Sequence, residues 1–198
     1  MKKILLIIIG FSFYACNESS SDIDLVNAYA DAPPGSQRIP YPEKEGLVKV
    51  IQTGRDGEVL QEGDYLNGIR EGYWTEYHPN GIVKTMSNFK NGKLHGAYIS
   101  LDSRGNITEK FSFLEGLKTG TYHKYDRGKI SVTMEYQNDL VHGNVQRFYP
   151  NGNIQEESNY ASGILHGKAR WYDQQGNVTI EYTYENGDLI DKGENLNN

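Results

Sequence analysis

Five histidines, one cysteine and 26 carboxylates are the groups in this chain that could hold a metal, attack a carbonyl or carry a proton. Three histidines share one setting, in Leu94-His95-Gly96, Val141-His142-Gly143 and Leu165-His166-Gly167. Equivalent positions of successive β-hairpins lie two strands apart, roughly 9–10 Å. Zinc holds each imidazole nitrogen at about 2.0–2.1 Å, so such a column would have to converge strongly to share an ion. It reads instead as a turn that recurs, and no metal or other cofactor is implied. Glycoside hydrolysis needs two carboxylates about 5–9 Å apart across a cleft, whereas Glu156 and Glu157, as neighbours on a strand, point to opposite faces. There is no G-x-S-x-G, no phosphate loop and no H-E-x-x-H. Residue types and spacing therefore point away from an enzyme.

The cysteine has a different meaning. Met1-Lys2-Lys3 is a short basic segment, and Ile4 to Ala15 carries no charge. A membrane span needs roughly twenty apolar residues, so this run is too short to cross and matches the apolar core of an export signal. Ala15 supplies the small residue before the cut, and Cys16 follows it. The arrangement resembles the lipobox of bacterial lipoproteins, with Phe13 where most carry Leu. The resemblance implies cleavage after residue 15 and a diacylglycerol on the Cys16 sulfur. Two or more acyl chains anchor stably where one does not. Asn17 follows the cysteine rather than Asp, which directs the expectation to the outer membrane of a bacterial envelope.

Beyond the anchor, four of the six prolines (Pro33, Pro34, Pro40 and Pro42) fall among polar residues. Proline blocks helix and ladder alike, so residues 16–46 are expected to be a flexible tether. A net charge of −6, from 20 Lys and Arg against 26 Asp and Glu, argues against a nucleic-acid binder, which would need a basic face.

From about residue 47 the chain repeats with a period near 24. Gly68, Gly92, Gly116, Asp139, Gly163 and Gly187 form one column, and Gly72, Gly96, Gly120, Gly143 and Gly167 a second. A third holds Gly57, Gly81, Gly105, Gly128, Gly152 and Gly176, and the period slips by one residue at Asp126-Arg127-Gly128. Between the columns apolar residues alternate, as in Val178, Ile180, Tyr182 and Tyr184, which is the period of a strand. Segments such as His78-Pro79-Asn80-Gly81 supply hairpin turns. The expected fold is all-β: an elongated antiparallel β-meander of about eleven strands, one hairpin per row, over residues 47–194, with a tail at 195–198. At ~4.8 Å per strand it extends roughly 50 Å.

The row Gly72 to Gly96, of the form G-x-W-x-x-Y-x-x-N-G-x(7)-F-x-N-G-x-x-x-G, resembles the MORN repeat in its longer bacterial variant. Chains of this kind are similar to the YwqK-type antitoxins. The resemblance implies a scaffold or binding surface, sometimes associated with phospholipid. Asp139, Val145 and Ala169 depart from the pattern, and their rows are expected to pack less well.

Two aromatic stripes complete the reading. Tyr65, Phe89, Phe113, Tyr136, Tyr160 and Tyr184 end successive strands, and Tyr77, Leu101, Tyr125, Phe148 and Tyr172 form the other. Paired aromatics such as Trp74 and Tyr77, three residues apart, face opposite ways unless a bulge intervenes. The rings either stack row on row as the core or stay open as a platform. As a platform, Trp74, Tyr77, Tyr98, Tyr122, Tyr125, Phe148, Trp171 and Tyr172 would be the binding surface. The functional expectation is a non-enzymatic, lipid-anchored envelope protein whose sheet binds a protein partner. Glycan binding and an antitoxin-like role are the alternatives.

Overall fold

The computed structural model describes residues 32–193. The signal segment 1–15, Cys16, the first half of the expected tether and the tail 195–198 lie outside the described residues. What is described is one open antiparallel sheet. Its strands are β1 (Gln37–Pro40), β2 (Leu47–Thr53), β3 (Val59–Leu66), β4 (Ile69–Tyr77), β5 (Val83–Lys90), β6 (Lys93–Leu94), β7 (Gly96–Leu101) and β8 (Ile107–Leu114). They continue as β9 (Leu117–Asp126), β10 (Lys129–Gln137), β11 (Leu140–Phe148), β12 (Ile154–Ala161), β13 (Ile164–Tyr172), β14 (Val178–Glu185) and β15 (Asp188–Lys192). Each pairs with its sequence neighbours, β6 and β7 both pairing β5, and β1 and β15 lie at opposite ends.

Two expectations need correction. The sheet has fifteen strands rather than about eleven; β1, which precedes residue 47, adds one, and a break at His95 that divides one strand into β6 and β7 adds another. Second, residues 32–46 are not a free tether. Strand β1 pairs with β2, Arg38 opposite Val50, and Ala32 is buried in the cluster of Val48, Val50, Tyr65 and Trp74. A terminal strand is paired on one side only, so Pro40, with no N–H to donate, is tolerated at its end.

The turns explain the meander. Along one margin the connections are two-residue turns with both central residues at positive φ, as at Asn67 (50°) and Gly68 (80°). Such turns match the right-handed twist of the strands they join, and Asn-Gly is their preferred sequence. At the opposite margin the loops, except the two-residue turn Arg127–Gly128, are five residues long, closed from the first N–H to the last carbonyl, as in His78 to Ile82 at 2.8 Å and Tyr149 to Asn153 at 2.9 Å. Successive rows are also tied turn to turn. The N–H groups of Gly92, Gly116, Gly163 and Gly187 donate to the carbonyls of Arg70, Leu94, Val141 and Leu165 in the preceding row, at 2.7–3.0 Å.

The second glycine column marks a β-bulge in each row. Between Glu62 and Asp64 the register against β4 jumps from Thr75 to Glu71, so Gly72, Tyr73 and Trp74 stand against Gly63 alone. Gly72 has φ 69°, with nothing within 4 Å of where a β-carbon would lie, so backbone conformation rather than space selects glycine there.

Register then separates the two faces. Trp74, Tyr98, Tyr122, Val145 and Ala169 lie opposite Ser87, Phe111, Met134, Ser158 and Tyr182 on the following strands. Their rings form runs of contacts: Tyr65–Trp74–Phe89 at 5.4 and 6.2 Å, Tyr98–Phe111–Tyr122–Tyr136 at 4.8, 5.6 and 6.0 Å, and Trp171–Tyr182–Tyr184 at 5.6 and 6.5 Å. This face is the core, and cations help to cover it. The Arg70 guanidinium lies 4.5 Å from the centre of the Trp74 ring, and Lys118 Nζ lies 5.2 Å from those of Phe111 and Tyr136.

The departing rows pack as closely as the others. Val145 and Ala169 are 7% and 1% exposed, and Trp171, two residues beyond Ala169 and so on the same face, supplies the displaced ring. Asp139 keeps the glycine's turn at φ 67° and adds a bond, its Oδ1 accepting the Lys118 N–H at 2.7 Å. Local compensation, invisible in a column of letters, replaces the missing ring and the missing glycine.

Candidate functional site

The eight residues of the expected binding surface do not share a surface. Trp74, Tyr98, Tyr122 and Trp171 belong to the core face, and Trp74 and Tyr122 are buried there at 3% and 8% exposure. Tyr77, Tyr125, Phe148 and Tyr172 are half-buried on the opposite face. The reason is the odd spacing of each pair together with the position of the bulges. The register shift beside Tyr77 adds its extra residue, Lys84, to β5, so β4 keeps its alternation from Trp74 to Tyr77.

On that second face, hydrogen bonds fix the tyrosines at both ends of the array. Tyr77 Oη donates to Glu62 Oε1 at 2.7 Å, and Lys49 Nζ pairs with Glu62 Oε2 at 2.8 Å. Four rows on, Tyr172 Oη donates to Glu157 Oε1 at 2.6 Å, and Arg170 bridges Glu157 at 2.9 Å and Glu181 at 2.6 Å. The bonds from Lys49 and Tyr77 hold the Glu62 carboxyl below its ordinary pKa, and those from Tyr172 and Arg170 do the same for Glu157. The Tyr77 hydroxyl is pushed up by its bond to Glu62, and Tyr172 by burial and then by Glu157. Both phenols stay protonated and their hydroxyls are spent on the sheet. What they offer a ligand is ring surface, presented rigidly.

Members of the histidine column sit against the next turn. Glu71 stands in the same column, before Gly72, and its Oε2 accepts the Asn91 N–H at 2.9 Å. His166 Nδ1 accepts the Asn186 N–H at 3.5 Å, and His95 Nδ1 lies 3.4 Å from Glu115 Oε1. In each case the partner is twenty residues on, in the next two-residue turn. No group of three or more His, Cys, Asp or Glu that could hold a metal ion gathers among the described residues.

The sequence reading missed a pair of hollows at the short Arg127–Gly128 turn. One, of about 250 Å³, is lined by Arg127, Lys129, Ile130, Phe148 and Tyr149 among others. A shallower one of about 430 Å³ shares Lys129, Ile130 and Phe148 and reaches His123. The one-residue slip in the glycine period was the signal for them.

A meander of bulged hairpins, repeating in register and tied turn to turn, defines a β-hairpin repeat protein. Three segments, 70–91, 141–162 and 165–186, match the family model described as MORN repeat variant, so the chain carries MORN-type repeats there. The rows between them share the same register: Gly96 and Gly120 lie opposite Phe113 and Tyr136, as Gly72 lies opposite Phe89. No curated protein matches this sequence. Among solved structures, two of TarM are similar at 11% identity and a TM-score of 0.29. One is of an S. aureus TarM mutant in complex with Fondaparinux, alpha-GlcNAc-glycerol and UDP. Each match covers 87% of this chain but 23% of TarM.

Proposed function

We propose that this chain is a non-enzymatic, lipid-anchored protein of the bacterial cell envelope whose repeat sheet docks a protein partner. One observation carries the reading: the sheet spends one face on its own ring core and leaves the other with a stripe of half-buried aromatics. Fourteen consecutive strands at ~4.8 Å spacing extend roughly 60 Å, ample for the ~800 Å² that each partner commonly contributes to a stable interface. Repeat arrays present extended surfaces rather than enclosed pockets, in keeping with hollows that are small and open. The basic and apolar leader ending at Cys16 supports the anchor, and an outer-membrane location is part of the proposal.

The test is photo-crosslinking in intact cells, with a photoreactive residue at Tyr125 or, as control, at Lys118, whose side chain covers the core-face rings of Phe111 and Tyr136. A discrete adduct from the Tyr125 position supports docking on the second face, and none from any position on that face removes it. For the anchor, Cys16→Ser is expected to abolish uptake of labelled palmitate. Continued labelling would refute lipidation at that residue.

A further inference from the structure

The loops along one margin form a ladder of their own. Asn80 Nδ2 donates to Ser103 O at 2.8 Å, and Asn151 Nδ2 to Gln174 O at 3.3 Å, each loop reaching the next. The turn at 126–128 lacks the residue that stands as Pro79, Ser103, Pro150 and Gln174 in the other rows. Ser103 and Gln174 are the residues whose carbonyls receive those bonds, so the ladder is cut here. Lys129 spans the gap from its far side, its Nζ donating to Pro150 O at 2.8 Å. The 250 Å³ hollow lies beside this shortened turn, lined by Asp126, Arg127 and Lys129 on one side and Phe148 to Pro150 on the other.

Three properties converge there. The floor is apolar, with Ile130 40% exposed beside Phe148, and the rim carries Arg127 and Lys129 against one acid, Asp126. Residues 104–129 hold six Lys and Arg against three acids, in a chain whose net charge is −6. A basic sector on an acidic protein draws an acidic partner and disfavours contact with the same sector of a second copy. The volume is below the ~300–1,000 Å³ of small-molecule sites and suits one large side chain. An aliphatic residue beside two half-buried rings, Phe148 and Tyr149, suits an apolar side chain better than a sugar, which would need a row of open ring faces.

We propose that this notch receives an acidic segment of the partner, in extended form, with carboxylates at Arg127 and Lys129 and an apolar side chain between them resting on Ile130 and Phe148. The assignment rests on the scaffold reading and specifies where on the sheet the partner's recognition segment lies.

Fluorescence anisotropy of the full chain with a fluorescein-labelled Glu-Glu-Phe-Glu-Glu peptide tests it. Two variants remove the rim charge while keeping the fold. Arg127→Asn suits its φ of 50°, and Lys129→Gln keeps a donor for Pro150 O. Salt-sensitive binding, weakened about tenfold or more in the double variant, is expected for two charge-assisted contacts. Inserting one proline between Asp126 and Arg127, to restore the loop of the other rows, is expected to abolish binding without lowering Tm. Equal binding by wild type and double variant overturns the proposal, as does no binding, or equally good competition by an acidic oligosaccharide. If the double variant still gives the Tyr125 crosslink, the notch is wrong and the scaffold reading stands. If wild type gives no crosslink, the scaffold reading itself fails.

Discussion

The indole of Trp74 lies against the bare α-carbon of Gly63. A β-carbon at Gly63 would stand 2.3 Å from two atoms of the ring, far inside contact distance. Gly63 belongs to none of the glycine columns and makes no turn. It is glycine because the row's one tryptophan at this position needs the room; the corresponding position beneath Tyr122 holds Phe111. Gly63→Ala is therefore expected to cost about 1–3 kcal/mol, as overpacking does, with much of the loss recovered by adding Trp74→Tyr. Urea denaturation of the two single variants and the double variant measures this, and simple additivity would disprove the contact's role.

Trp74 is 3% exposed and its neighbour Tyr73 80%, so two adjacent aromatics should behave oppositely. Trp74→Ala should destabilise by about 3–5 kcal/mol, whereas Tyr73→Ala should stay within about 0.5 kcal/mol of wild type. Equal effects on the urea midpoint would contradict the burial of Trp74 and the exposure of Tyr73.

Ser162 occupies the first central position of a two-residue turn at φ 50°, a place that favours asparagine. Ser162→Asn is expected to stabilise by about 0.5–1 kcal/mol and raise Tm, since the new residue suits the turn and touches nothing else. A lower Tm would contradict the turn assignment.

Glu62, Glu157 and Glu181 all have carboxyl pKa values below the ordinary range, held there by Lys49, Tyr172 and Lys168 respectively as first partners. Depressed native pKa values mean that the unfolded chain binds more protons in acid, so stability rises with pH. The contribution is fully present above the unfolded carboxylate value, about 4.3, and is lost as pH falls through the lower native values. Replacing both Glu157 and Glu181 with Gln should reduce stability at neutral pH and flatten its decline below about pH 5. Chemical denaturation across that range reads the slope, and an unchanged slope would refute the linkage.

Much of the architecture was legible because turns and bulges demand glycine or asparagine, and such demands recur as columns. Gly72 and its equivalents announce their bulge because few other residues tolerate a φ near 70°. The alternation of strands gave the two faces, and the odd spacing of Trp74 and Tyr77 separated them once the bulges were placed. Strand β1 was hidden because proline content speaks against a ladder, and only tertiary pairing reveals a terminal strand that needs half its bonds. The compensations at Asp139 and Ala169 were hidden for a related reason. A column shows that a ring or glycine is missing, while its replacement, a carboxylate reaching Lys118 or an indole two residues away, is a matter of space. The site was the least legible part, since the hollow at Arg127 lies beside a turn marked only by its missing residue.

Because β1 and β15 lie at opposite ends of the meander, a force applied between them acts across the strands rather than along them. The ladders are then loaded one bond at a time, like a zipper, and rows should peel off singly at low tension, each paying out about 80 Å of extended chain. Tethered at one end and gripped at the other, such a sheet would lengthen in equal steps instead of rupturing at once. It would be a shock absorber built from identical links.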